Sequence, residues 1–126
     1  MGLFRKNSSV IELTSGNFDK RTKKVIHPLL DKGSKGLVMF SASWCGHCQR
    51  TAPELEKVAD CLGTSFPVFY FDCEKYPEFA RSVMKIEGYP TLKFIDRNGS
   101  LYKTYNSERT YEGFLAAICD EASICK

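Results

Sequence analysis

Cys45 and Cys48 bracket Gly46 and His47 in the run Trp44-Cys45-Gly46-His47-Cys48. On a helical turn, residues three apart have Cα atoms about 5 Å apart, inside the roughly 4.4–6.8 Å window of a disulfide. Such a pair opens and closes without refolding, which is the chemistry of thiol–disulfide exchange. At a helix N-terminus, unpaired N–H groups and the macrodipole favour thiolate over thiol, so Cys45 is the expected nucleophile. Cys48, one turn further in and more enclosed, is expected to stay protonated until it attacks the mixed disulfide as the resolving cysteine. The His47 imidazole is expected to support the Cys45 thiolate further, which makes the disulfide a stronger oxidant.

The surrounding pattern supplies elements to hold this pair. Leu37-Val38-Met39-Phe40 is a continuous apolar run after Gly33 and Gly36, as in a strand buried on both faces. From Cys48 to Leu62 the apolar residues Ala52, Leu55, Val58, Ala59 and Leu62 fall at helical spacing, with Pro53 predicting a kink. Phe66 to Phe71 reads as a second buried strand, so strand, helix and strand form a βαβ unit with a parallel pair. The Cys pair then lies at the carboxyl edge of an open sheet, where sites form.

Upstream, Val10 to Leu13 reads as a strand, and a helix is predicted from about Phe18 with Val25, Ile26, Leu29 and Leu30 on its apolar face. Lys20, Arg21, Lys23 and Lys24 then form a solvated face of that helix rather than a phosphate-binding patch, since no aromatics are interleaved. Downstream, Pro77 opens a short helix through Met84, and Thr91 to Ile95 is an alternating strand. Asn98-Gly99 makes a tight turn to a strand carrying Leu101, Lys103 and Tyr105. A closing helix spans Arg109 to about Glu121, with Phe114, Leu115, Ile118 and Cys119 at helical spacing. The expected class is α/β, in the order βαβαβαββα: a central mixed sheet flanked by helices on both faces. The expected boundaries are a flexible segment at 1–9, one domain at 10–122 and a tail at 123–126.

The chain has 126 residues, 43% of them hydrophobic and 26% charged, which suits a single globular domain. Its 18 basic and 15 acidic side chains leave a net charge of +3, which argues against nucleic acid as a partner. No apolar run reaches the roughly 18 residues needed to span a bilayer, and 1–9 is too short and polar for a signal peptide. Met1-Gly2 begins like an acylation signal, but Lys6 stands where Ser or Thr is needed. No membrane partner is expected.

With these motifs in order, the chain resembles the thioredoxin superfamily, and its Cys-Gly-His-Cys motif resembles that of protein disulfide isomerase catalytic domains. The resemblance runs from Val10-Ile11-Glu12-Leu13 and Asn17-Phe18-Asp19, through Trp44 to Cys48 and Ala52-Pro53, to Gly88-Tyr89-Pro90-Thr91 and Asn98-Gly99. It implies a thioredoxin fold and disulfide oxidase or isomerase activity on protein cysteines, without a cofactor. It also implies that Pro90 is cis and faces the cysteine pair, and that Tyr89 offers its backbone to a substrate strand, with Trp44 beside it. Arg109 matches a family arginine that swings toward the site and lowers the pKa of the resolving cysteine.

Two positions depart from that pattern. The resemblance implies a buried acid six residues before the first cysteine and a lysine paired with it on the next strand. Met39 and Tyr70 occupy those positions. Joint replacement avoids leaving a lysine unpaired in the core. Slow deprotonation of Cys48 is the expected consequence, with a nearby hydroxyl, water or Glu56 as the alternative base.

Cys61, Cys73, Cys119 and Cys125 remain, with three complete pairings possible. Cys61 and Cys119 are expected to be small buried hydrophobes, and Cys125 an exposed residue able to dimerise the protein by oxidation. On one unbroken helix Cys119 and Cys125 would stand about 9 Å apart along the axis, so bridging them requires the helix to end first. No metal site is expected, because a second ligand pair is missing, and His27 before Pro28 reads as a surface or cap residue.

The expected partners are proteins bearing thiols or disulfides and glutathione or another redox partner, with the protein itself a monomer. Two alternatives stay open: a thioredoxin-like reductase, or a non-enzymatic polypeptide-binding module using the Tyr89–Pro90 groove. The resemblance and His47 suggest an oxidising compartment such as the endoplasmic reticulum lumen. A cytosolic or virus-associated setting is the alternative if Met1 is the natural start.

Overall fold

The computed structural model of the chain describes residues 2–124. Five strands form one mixed sheet: β1 (Ile11–Leu13), β2 (Gly36–Ser41), β3 (Val68–Asp72), β4 (Thr91–Ile95) and β5 (Leu101–Thr104). Their spatial order is β1-β3-β2-β4-β5. β3 runs parallel to both β1 and β2, whereas β4 is antiparallel to β2 and to β5. β2 is therefore central, and all six of its residues are buried. That explains its unbroken apolar run, since both faces must be covered.

Two long helices, α1 (Gly46–Leu62) and α2 (Tyr111–Ala122), pack on one face. Leu37, Met39, Leu55, Val58, Leu92, Phe114 and Ile118 meet there in one apolar cluster. The opposite face buries Leu13, Val38, Phe40, Phe69, Phe71 and Ile95 under short 3₁₀ segments and a π-helical turn at Phe79–Val83. α1 runs unbroken through Pro53, which has no N–H to donate to the Gln49 carbonyl.

The helix predicted from Phe18 does not form. Asp19 instead closes a tight loop, its Oδ1 accepting the N–H groups of Arg21 and Thr22 at 2.9 and 3.1 Å. Lys23 adopts φ 64°, and Phe18 bridges antiparallel to Val25. A short-range Asx-type turn thus outcompetes helical hydrogen bonding in a segment with few apolar residues before Val25. The apolar spacing of 25–30 makes no helical face: Ile26 is 56% exposed, while Val25 and Leu30 are buried. Pro28–Lys32 forms a 3₁₀ turn instead, with His27 as its N-cap accepting the Leu29 N–H on Nδ1 at 3.2 Å.

Residues preceding β1 pack on the α1 face. The Phe4 ring lies 4.6 Å from that of Tyr70, and Arg5 is held by Glu56 and Asp60 on α1, at 3.2 and 2.9 Å.

Candidate functional site

The chain leaves β2 at Ser41 and enters α1 at Gly46, so Cys45 caps the helix. Its Sγ accepts the Cys48 N–H at 3.4 Å, one of the orphan donors of the first turn. Burial by itself would raise the Cys45 pKa. The Cys48 thiol, the N–H groups of Cys48 and His47 and the Arg109 charge outweigh it and bring the thiol below its ordinary value. Cys48 is fully buried, and burial first of all pushes its thiol up to about 12. The two sulfurs of one motif are therefore driven apart, one toward thiolate and one toward thiol.

The Gly88–Thr91 loop faces this pair, and the Tyr89–Pro90 peptide is cis. The Cys45 thiol donates to the Tyr89 carbonyl oxygen at 3.6 Å. Trp44 is 66% exposed and meets the Tyr89 ring edge-on, with centroids 5.8 Å apart. Cys45, Cys48, Trp44 and Tyr89 are linked by these contacts, and Pro90 follows Tyr89 through the cis bond. Arg109, in the exposed loop ahead of α2, acts through its charge on Cys45. His47 supports Cys45 with its peptide N–H, while its ring Nδ1 accepts from Arg50 Nη2 at 2.9 Å. Gly46 opens the helix, and a Cβ there would lie 3.5 Å from Arg50 Nη1.

Met39 and Tyr70 are direct partners across the parallel β2–β3 pair, and Met39 is fully buried. Glu56, the alternative acid, is eight residues beyond Cys48 on α1 and is engaged by Arg5, its Oε2 accepting the Arg5 N–H at 2.7 Å. At 1.5 Å per residue it lies about 12 Å along the helix from Cys48.

The remaining cysteines correct two expectations. Cys61 is exposed, on the outer side of α1 near its end. Cys119 is only half-buried and is disulfide-bonded, so it is not a small buried hydrophobe. α2 ends at Ala122, with Ser123 in a left-handed cap. The expectations for Cys125 lie outside the described residues. Cys73, left unassigned above, is buried at the end of β3, its N–H donating to the Ser41 carbonyl at 2.8 Å, close enough for its charge to affect Cys48. Its place two residues after Phe71, at the same sheet edge as the motif, was the available signal. Among the described residues no group of three His, Cys, Asp or Glu side chains is arranged to hold a metal ion, and no helix is long and apolar enough to cross a membrane.

The thioredoxin family profile matches residues 9–120. The chain belongs to the thioredoxin family. Among similar proteins, protein disulfide-isomerase A6 of Mesocricetus auratus is 34% identical over 116 residues, covering 92% of this chain and 25% of that protein. The Trx4 domain of ERdj5 superposes with a TM-score of 0.69 at 26% identity, covering 90% of this chain and 96% of that one. The first thioredoxin domain of mouse protein disulfide-isomerase A4 gives 0.68 at 31% identity, covering 94% and 79%. This thioredoxin-family chain spans about a quarter of the length of the curated relatives it matches. Its Cys45–Cys48 spacing fits a redox pair of that family.

Proposed function

We propose that this thioredoxin-family chain is a thiol–disulfide oxidoreductase acting on cysteines of other polypeptides, in the manner of a protein disulfide isomerase. The observation that carries this is the split pair: Cys45 at the helix N-terminus with a lowered pKa, Cys48 buried behind it at about 12. The Cys45 thiolate attacks one sulfur of a substrate disulfide, forming a mixed disulfide and expelling the other sulfur as thiolate. Cys48 then gives up its proton and attacks Cys45 Sγ, closing the Cys45–Cys48 disulfide and releasing the second substrate thiolate. Run in reverse, the same steps oxidise a dithiol substrate.

Around the sulfurs, Trp44, Tyr89 and Pro90 form the substrate platform. The exposed Trp44 ring supplies apolar contact, and the Tyr89 carbonyl supplies a backbone acceptor for an extended chain. Main-chain recognition of this kind accepts many sequences. Gly46 and His47 shape the first turn, and Arg109 adds positive charge near Cys45. Glutathione or another redox partner resets the pair, the protein works as a monomer, and its setting is oxidising. The disulfide at Cys119 supports that setting, since such bonds persist where thiols are not kept reduced.

Equilibration in glutathione buffers, with refolding of scrambled ribonuclease followed alongside, tests this reading. A potential near the roughly −180 mV of protein disulfide isomerase with ribonuclease recovery supports it, and one near the −270 mV of thioredoxin favours the reductase alternative. Binding of unfolded polypeptide that survives replacement of both cysteines by serine, without turnover in the parent chain, would favour the binding module.

A further inference from the structure

The basic run was expected to be a solvated helix face with no membrane partner, but it folds as a loop, and we infer that this loop at Lys20–Lys24 docks the protein on anionic lipid bilayers with its reactive cysteines facing away from the surface. Four of the five residues from Lys20 to Lys24 are cationic. Lys20, Arg21 and Lys23 are exposed, and none of the four cations makes a salt bridge among the described residues. The one acid within the loop, Asp19, spends its Oδ1 on the loop's own backbone. Lys23 sits at φ 64°, a left-handed conformation that glycine or asparagine adopts at lower cost, so the loop carries its lysine at a conformational disadvantage.

The adjoining hairpin turn adds a fifth cation. Val25 donates its N–H to the Gly99 carbonyl at 2.8 Å, and a Cβ on Gly99 would collide with the Val25 carbonyl oxygen. This contact locks the basic loop against the β4–β5 turn, which carries exposed Arg97. Five Lys and Arg side chains thus gather at this pole, one of them, Arg97, donating its Nε–H to the Gly33 carbonyl at 3.1 Å, and each basic side chain near an acidic lipid surface contributes about 1 kcal/mol. Ile26, two residues after Lys24, is 56% exposed and offers an aliphatic group to the headgroup region.

A bilayer fits this surface better than an acidic polypeptide. The neighbouring recess, lined by Val25, Leu30, Asp31, Gly33, Arg97 and Gly99, contains an acid that would repel an acidic side chain seated in it. Lys20, Arg21 and Lys23 are exposed within four consecutive residues, close enough together for one anionic surface to meet all three. The orientation follows from the sheet. Ile95 of β4 pairs with Gly36 at the start of β2, whereas Cys45 follows the other end of that strand. The six residues of β2 alone separate the two poles by about 20 Å. Docked by the basic pole, the cysteine pair faces the aqueous side, where soluble polypeptides arrive.

Co-sedimentation of the full chain with vesicles of phosphatidylcholine alone, or containing 30% phosphatidylserine, tests this at about 0.1 M salt. Binding to the acidic vesicles only, weakened by higher salt, is expected. At about fivefold per cation, Lys20→Gln with Lys24→Gln should weaken binding about 25-fold, and Ile26→Ser should weaken it further. Insulin reduction by these variants should match the parent, since no changed residue lies near Cys45. Equal binding to both vesicle types, or no binding to either, overturns the proposal. So does tighter binding to polyglutamate than to acidic vesicles, which would assign the loop to an acidic polypeptide. The parent chain decides these outcomes even if a variant misfolds, and failure here leaves the oxidoreductase reading untouched.

Discussion

The thiol of Cys45 points at the carbonyl oxygen of Tyr89, 3.6 Å away across the loop that precedes β4. Once Cys45 is a thiolate or a mixed disulfide it has no proton to give, and that carbonyl is left as an acceptor beside the reactive sulfur. On the proposed function, that carbonyl would take a substrate N–H at the same position where the sulfur reacts. Cys48→Ser should consequently accumulate a mixed disulfide with a model peptide disulfide, seen as a mass adduct under non-reducing conditions. Cys45→Ser should form none.

Arg109 acts on Cys45 through its charge from an exposed position, so its effect is modest and screened by salt. Arg109→Gln should raise the midpoint of Cys45 alkylation by about 0.2–0.7 pH units, the equivalent of an exposed charge pair. The difference should shrink in 1 M salt. An unchanged midpoint at low salt would show that hydrogen bonds alone hold the thiolate.

Met39 and Tyr70 face each other where a buried acid could serve Cys48, and Glu56 is occupied by Arg5. Release of substrate from the Cys45 mixed disulfide should therefore be slow. Met39→Glu should speed that release, measured by stopped flow, by up to about 100-fold, the lower range for a positioned base. The same change should cost about 1–3 kcal/mol of stability by burying a polar group. Destabilisation without acceleration would remove proton transfer as the slow step.

The parts of the chain read correctly from residues alone are those where burial and periodicity agree. β2 is apolar throughout because it is central, and α1 keeps its helical spacing despite Pro53 because Leu55, Val58 and Ala59 are buried against the sheet. The strand at Thr91–Ile95 matches its expected bounds. Where local polar bonding decides, the pattern misleads. Asp19 turns a helix-like stretch into a loop, and the spacing of Val25, Ile26, Leu29 and Leu30 arises without a helix. In the site, the motif itself was legible, but the contributions of Arg50, Cys73 and the Glu56–Arg5 pair come from residues brought together only by folding.

Gly99 is required by two independent constraints, its φ of 91° and its approach to the Val25 carbonyl. Gly99→Ala should lower stability by about 1–3 kcal/mol, measured as a shift of the urea midpoint at constant slope. Activity per folded molecule should be retained, because the turn lies at the pole away from Cys45.

The account rests on Cys45 ionising readily while Cys48 does not, and iodoacetamide labelling of the reduced protein across pH, resolved by peptide mass, measures both sulfurs together. Cys45 should label with a midpoint below the ordinary thiol value, and Cys48 should resist labelling until pH approaches about 12. A Cys45 midpoint at or above that of a free thiol, or equal labelling of the two, would contradict it.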